Sequence, residues 1–262
     1  FPTRRSSDLR LLRRTTRSVQ LTDAGARYFE SVCRILAAVD DAESAARAEV
    51  AVPTGRLVVA APSVFGSQHV APILCDFLAR YPAVAAELTL ADRIVNLLDE
   101  GVDVAVRIGV LQDSSLRVRP VGKTRRVLVA SPAYLSSHRA IRRPRDLRDH
   151  ALIQFTSLTP APEWRFGTEG TDKRVLFRPT FATNSAQAAV GHAERGGGIA
   201  MVLSYQVVDA VRRGKLRVLL PKFELPPLPI QLVSPESRLA SASYRAFTSL
   251  VVEKGKWDFV KL

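Results

Sequence analysis

Three polar residues of this 262-residue chain stand where an α/β protein can hold an anion. Ser63 follows the apolar run Arg56-Leu-Val-Val-Ala-Ala and lies between a strand and a helix, where free N–H groups and a hydroxyl can take a carboxylate. Arg107 closes the run Val102-Asp-Val-Ala-Val-Arg, and a guanidinium there can grip an anion with two N–H groups at once. Asn184 stands at the start of the helical stretch Ser185 to Arg195. Phe65 and Ile108 are the expected apolar walls beside them. The same residues admit a plainer use, with Ser63 and Asn184 as helix caps and Arg107 as a surface ion-pair partner.

Catalytic and metal chemistry find little footing. Gly196-Gly-Gly-Ile-Ala follows a helix and precedes a strand, so a C-cap and tight turn explain it, not a dinucleotide loop. There is no GxSxG elbow and no Walker A pattern. His69, His138, His150 and His192 are scattered, without an HExxH. Asp99, Glu100 and Asp103 read as a helix end and strand start. Nothing assembles a nucleophile, a base and a group to orient it, so no enzyme activity, metal or cofactor is expected. Cys33 and Cys75 lack a CxxC partner and sit in apolar helical patterns, which predicts buried small hydrophobes.

The elements that position Ser63, Arg107 and Asn184 follow from hydrophobic period. Arg56 to Ala61, Val84 to Leu90 and Val102 to Arg107 read as strands, with helices over His69 to Arg80 and Ile94 to Glu100 between them. That alternation is a doubly wound α/β layout. It starts again with strands at Arg126 to Ala130, Leu152 to Phe155, Gly198 to Leu203 and Leu216 to Leu219. Trp164 to Phe166 and Arg174 to Phe177 suggest an antiparallel section, Ile230 to Val233 a returning strand, and Ser241 to Glu253 a closing helix. The body thus reads as two similar lobes, residues 55–122 plus 231–262 and residues 123–230, facing each other across a cleft. In such sheets ligands bind at the C-terminal ends of strands.

Ahead of the body lies a basic arm. Residues 1–9 have no helical or strand period and no initiator Met, and are expected to be a leader foreign to the fold. Residues 10–22 alternate Thr, Val and Leu with Arg13, Arg14 and Arg17, as in two short extended arms around a turn whose arginines can pair with phosphates. Thr22 can cap the helix that follows. Over residues 23–52, Phe29, Val32, Leu36 and Val39 step by three and four. A helix of about 28 residues would be about 42 Å long, more than a small domain can cover, which favours a dimer helix over one lying on its own domain.

Lys plus Arg number 38 against 25 Asp plus Glu, a net charge of +13 with pI near 10.5. That balance suits an anionic partner, nucleic acid or membrane surface alike. The dense run Arg139 to Arg148 is expected to be a solvated face. No apolar run reaches the roughly 20 residues of a membrane span, and the cysteine usage suits the cytoplasm.

Arg10-Leu-Leu-Arg-Arg-Thr-Thr-Arg-Ser-Val-Gln-Leu-Thr-Asp-Ala-Gly closely resembles the wing and linker-helix start of LysR-type transcriptional regulators. The resemblance extends to Arg80-Tyr-Pro, Asp103-Val-Ala-Val-Arg-Ile-Gly, Leu128-Val-Ala-Ser-Pro-Ala-Tyr-Leu and Gly196-Gly-Gly-Ile-Ala. It implies a periplasmic-binding-protein-like, two-lobed effector domain preceded by a winged-helix remnant and a linker helix. It places a small-molecule, anionic effector at Ser63, Arg107 and Asn184, and implies homodimers or homotetramers, with RNA polymerase a further partner of the full-length protein. In the family a recognition helix precedes the wing; none is seen here, so weak DNA binding without sequence preference is expected. A solute-binding protein of the same lobed fold is the alternative; it would show a secretory signal and no linker helix.

Overall fold

The computed structural model describes residues 11–14, 19–25, 27–28, 31–32, 35, 52–110, 116–168, 171–239 and 241–261. At the N-terminal end, β1 (Leu12–Arg14) pairs antiparallel with β2 (Val19–Leu21), Arg13 opposite Gln20 and Arg14 opposite Val19. Thr22 joins this ribbon to the helix behind it. Its N–H donates to the Leu11 carbonyl at 3.0 Å, and its hydroxyl accepts from the Gly25 N–H at 2.9 Å, an N-cap of the kind the sequence predicts. A side chain on Gly25 would lie 1.8 Å from the Leu11 carbonyl oxygen, so only glycine lets the helix approach the wing. Residues 23–25, 27–28, 31–32 and 35 are helical. Val32 is half-buried; Arg17, Phe29, Cys33, Leu36 and Val39 lie outside the described residues.

The body holds two sheets. The first, of six strands, runs β15-β6-β14-β5-β3-β4: Trp257–Asp258, Arg117–Thr124, Leu228–Ser234, Val104–Ile108, Gly55–Ala61 and Val84–Leu90. β3 is parallel to β4 and to β5, while β14 runs antiparallel to β5 and β6. The second, of five, runs β11-β8-β12-β7-β13: Phe181–Thr183, Leu152–Phe155, Ile199–Leu203, Arg126–Ala130 and Arg217–Leu219. A hairpin of β9 (Glu163–Thr168) and β10 (Thr171–Leu176) packs the fully buried Trp164 onto this lobe. The chain crosses between sheets at Arg125 and returns between β13 and β14.

Helices cover the sheets. Ser63–Phe65 (α1) continues through a π-helical turn, Gly66–Val70, into α2, Ala71–Arg80. The sequence predicts a helix only from His69, and the extra turn begins directly after Pro62, whose carbonyl accepts the Gly66 N–H at 2.7 Å. α2 packs on the closing helix Ala242–Lys254 through Phe77 and Phe247, ring centroids 5.5 Å apart and both fully buried. Burial of each such ring is worth roughly 2–3 kcal/mol.

Several local expectations give way to specific contacts. Ile94 to Glu100 forms turns, not a helix. Asn96 accepts from the Leu98 N–H at 3.2 Å, and Glu100 accepts from the Asn96 N–H at 3.1 Å, so side chains take backbone groups a helix would use. β6 was hidden by Pro120 and Gly122, which argue against a strand. The ladder to β14 slips at Ile230/Gln231, which accommodates Val121, and Gly122 lets β15 approach, because a side chain there would sit 2.2 Å from the Trp257 carbonyl oxygen. Cys75 is exposed on α2, not buried, since the helix turns Ile73, Leu74 and Phe77 inward instead. Among the described residues no helix is long and apolar enough to cross a membrane.

Candidate functional site

Between the sheets lies a cavity of about 320 Å³. Its floor is built from the C-terminal ends of β3 and β5, Ala60 to Pro62 and Ala105 to Val110, and the opposite wall from the last residues of β8 and β12 and those that follow, among them Phe155, Leu158 and Tyr205. This is where an open α/β sheet leaves strand ends uncovered. A second, more open depression of about 700 Å³ lies alongside, sharing residues 91–94 and Ser157 with the first.

Arg107 and Ile108 line the inner cavity. Arg107 donates from Nη2 to the Val95 carbonyl at 2.6 Å, and partial burial pushes its pKa down. No carboxylate lies within ion-pair distance of it among the described residues, so its remaining N–H groups are available to a ligand. Ser63 and Asn184 line the outer depression instead. The Ser63 N–H is already used: it donates to Asp92 Oδ1 at 2.9 Å. Neither residue is a side-chain cap. Pro62 occupies the cap position before Ser63, and Ser185, one residue past Asn184, caps its helix by accepting from the Ala188 N–H at 3.3 Å. Phe65 is fully buried and lines neither space. Its ring packs against Trp257 at 4.8 Å, His69 at 4.9 Å and Tyr205 at 5.1 Å, because one residue of helical rotation past Val64 turns it toward the lobe contact.

Five polar residues of the cavity were not singled out by sequence: Asp92, Arg93, Ser157, Tyr205 and Gln206. Asp92 stands just after β4, and Tyr205 and Gln206 just after β12, so the strand-end rule that picks Arg107 also reaches them. Arg93, beside Asp92, is engaged by Glu100 through two hydrogen bonds of 2.7 and 2.8 Å.

The lobes are pinned behind the cavity by a hinge network. Ser204 Oγ donates to the Phe259 carbonyl at 2.7 Å, so the 2.9 Å contact between Ser204 and Thr124 has the Thr124 hydroxyl as donor. Arg125 donates from Nε to the Val260 carbonyl at 2.7 Å and pairs with Glu224, both side chains largely buried. Burial raises the Glu224 carboxyl pKa, against the pull of Arg125.

A family model described as the LysR substrate binding domain matches residues 51–256. The chain is 34% identical over 255 residues to an HTH-type transcriptional repressor of Pseudomonas aeruginosa (strain UCBPP-PA14), covering 94% of this chain and 78% of that protein. It is 31% identical over 253 residues to the HTH-type transcriptional activator AaeR of Escherichia coli (strain K12), covering 95% and 82%. Among solved structures it is similar to the full-length Vibrio cholerae virulence activator AphB, with TM-score 0.69 and 26% identity over 94% of this chain and 84% of that one. CrgA, a LysR-type transcriptional regulator from Neisseria meningitidis, aligns with TM-score 0.65 and 29% identity, covering 92% and 84%. The two sheets with the cavity between them are the two-lobed, periplasmic-binding-protein-like architecture, and this chain belongs to the LysR family.

Proposed function

We propose that the chain is a DNA-binding transcriptional regulator whose two lobes sense a small anionic effector. One observation carries the effector part: a half-buried guanidinium, Arg107, faces a cavity of about 320 Å³ with no carboxylate partner among the described residues. Leaving such a charge partly desolvated costs free energy that an anionic ligand recovers. A ligand that contacts both walls favours one lobe arrangement over another, and only that difference in affinity can shift the equilibrium. The shift would pass to the linker helix, whose Phe29, Val32, Leu36 and Val39 would pair subunits of a homo-oligomer, and on to DNA, where Arg13, Arg14 and Arg17 would meet phosphate. The reading assigns no catalytic step to the chain and places it in the cytoplasm. The relatives' names speak for a regulator over a solute-binding protein.

The test is a thermal-shift screen of small carboxylates against wild type and Arg107→Gln. Some carboxylates should stabilise the wild type and lose roughly tenfold or more in affinity in the variant, as expected for a charge-assisted hydrogen bond. If every stabilising carboxylate works equally well in Arg107→Gln, the cleft assignment is wrong.

A further inference from the structure

The cavity offers polar groups beyond those an anion would use. Arg107 supplies one uncommitted positive charge. Tyr205 is buried, with its hydroxyl accepting from Gln206 Nε2 at 3.2 Å, and no acceptor for its own proton occurs among the described residues. Asp92 uses Oδ1 to accept the Ser63 N–H, while Oδ2 has no donor among the described residues. Asp92 and Tyr205 line the same cavity from different lobes, and burial, with a further contribution from the Asp92 charge, raises the phenol's pKa. Arg93, held by Glu100, adds no free charge. The rest of the lining is mostly apolar, with Ile94, Val95, Ile108, Phe155 and Leu158 around these groups.

A plain carboxylate reaching Arg107 would leave Asp92 half-satisfied and repel it. A plain amine would do the reverse at Arg107. A dicarboxylate would add repulsion at Asp92. We infer that the cavity takes a small zwitterion, a carboxylate and a protonated amine on one apolar frame, with the carboxylate held between the Arg107 guanidinium and the Tyr205 hydroxyl and the amine held by Asp92. Apolar amino acids are that class. The size agrees, since about 320 Å³ is at the low end of small-molecule sites. The ligand would join the lobes, because Arg107 and Asp92 belong to one and Tyr205 to the other. This inference rests on the effector reading above and adds the amine to it.

The experiment is calorimetric titration of L-leucine and L-phenylalanine against their deaminated counterparts, 4-methylpentanoate and 3-phenylpropanoate. The proteins are the wild-type chain, Asp92→Asn, Arg107→Gln and Tyr205→Phe. At least one amino acid should bind the wild type roughly tenfold or more tighter than its deaminated partner, the yield of one charged hydrogen bond. Asp92→Asn should bring that ratio close to one, Tyr205→Phe should weaken both ligands together, and Arg107→Gln should abolish both. Deaminated acids that bind as tightly as the amino acids, or a preference that survives Asp92→Asn, overturn the zwitterion while leaving the anion site standing. No binding of either class at about 10 mM, a concentration that detects even millimolar affinity, overturns the zwitterion and counts against the effector reading as well.

Discussion

Replacing Arg125 with alanine tests the hinge most directly. The guanidinium makes a 2.7 Å hydrogen bond to the Val260 carbonyl and pairs with Glu224, and both charged side chains keep only 15% of their exposure. Removing one member of a buried pair leaves the other charge desolvated, at about 3–5 kcal/mol. Because some solvent reaches the pair, the low end, about 3 kcal/mol, is expected. For a chain of this size that lowers Tm by about 6–12 °C. The stranded carboxylate supplies a second signature. Burial raises the Glu224 pKa in the folded state, and without Arg125 nothing opposes it. A carboxyl with a raised folded pKa binds protons more readily in the native than in the unfolded state. Its stability contribution is therefore greatest below the ordinary carboxylate pKa and is lost as pH rises through the folded value. The Arg125→Ala deficit should accordingly shrink as pH falls from 7 toward 4. Adding Glu224→Leu should recover much of the loss at pH 7, since a well-packed apolar replacement for a buried pair is often neutral. Urea denaturation followed by circular dichroism at several pH values reads all three. A single-variant loss under about 1 kcal/mol, or a double variant no more stable than the single, would refute the buried-pair reasoning.

Two further outcomes are expected. Gly122→Val should detach β15, because its Cβ would meet the Trp257 carbonyl oxygen at 2.2 Å; the cost is about 1–3 kcal/mol, and tryptophan emission should shift red through Trp257 while the buried Trp164 keeps its signal. Unchanged emission and stability would contradict the close approach. His69 sits among Phe65, Tyr205 and Phe259 with a buried Nε2 that has no partner among the described residues, and burial lowers its pKa. The unfolded state then binds the proton first, so wild-type stability should fall as pH drops below about 6.5 and His69→Leu should flatten that slope; identical slopes would remove His69 from the account.

Much of the fold was legible because its signals are local. The apolar runs Leu57 to Ala61 and Val127 to Ala130 are largely buried on both faces, and such strands announce themselves without knowledge of their neighbours. The Leu-Thr-x-Ala-Gly block was legible for a reason the structure supplies: Thr22 caps, and Gly25 leaves room for the Leu11 carbonyl. Arg107 at a strand end was legible by the same logic, and it does line the inner cavity. β6 was not legible, since Pro120 and Gly122 argue locally against a strand, and only pairing with β14 and the nearness of Trp257 make them fit.

The sequence by itself therefore determined most of the strands, the two-lobed plan and the family, all of which depend on period and spacing along the chain. Tertiary structure alone decided which side chains meet in the cleft. Phe65 and Ser63 are two residues apart, yet one enters the aromatic contact between lobes and the other an open depression. Asp92 and Tyr205 are far apart in sequence, yet they line one cavity with Arg107. Helix rotation sets the first separation and the packing of one sheet against another sets the second, and neither is written in the hydrophobic pattern of a single segment.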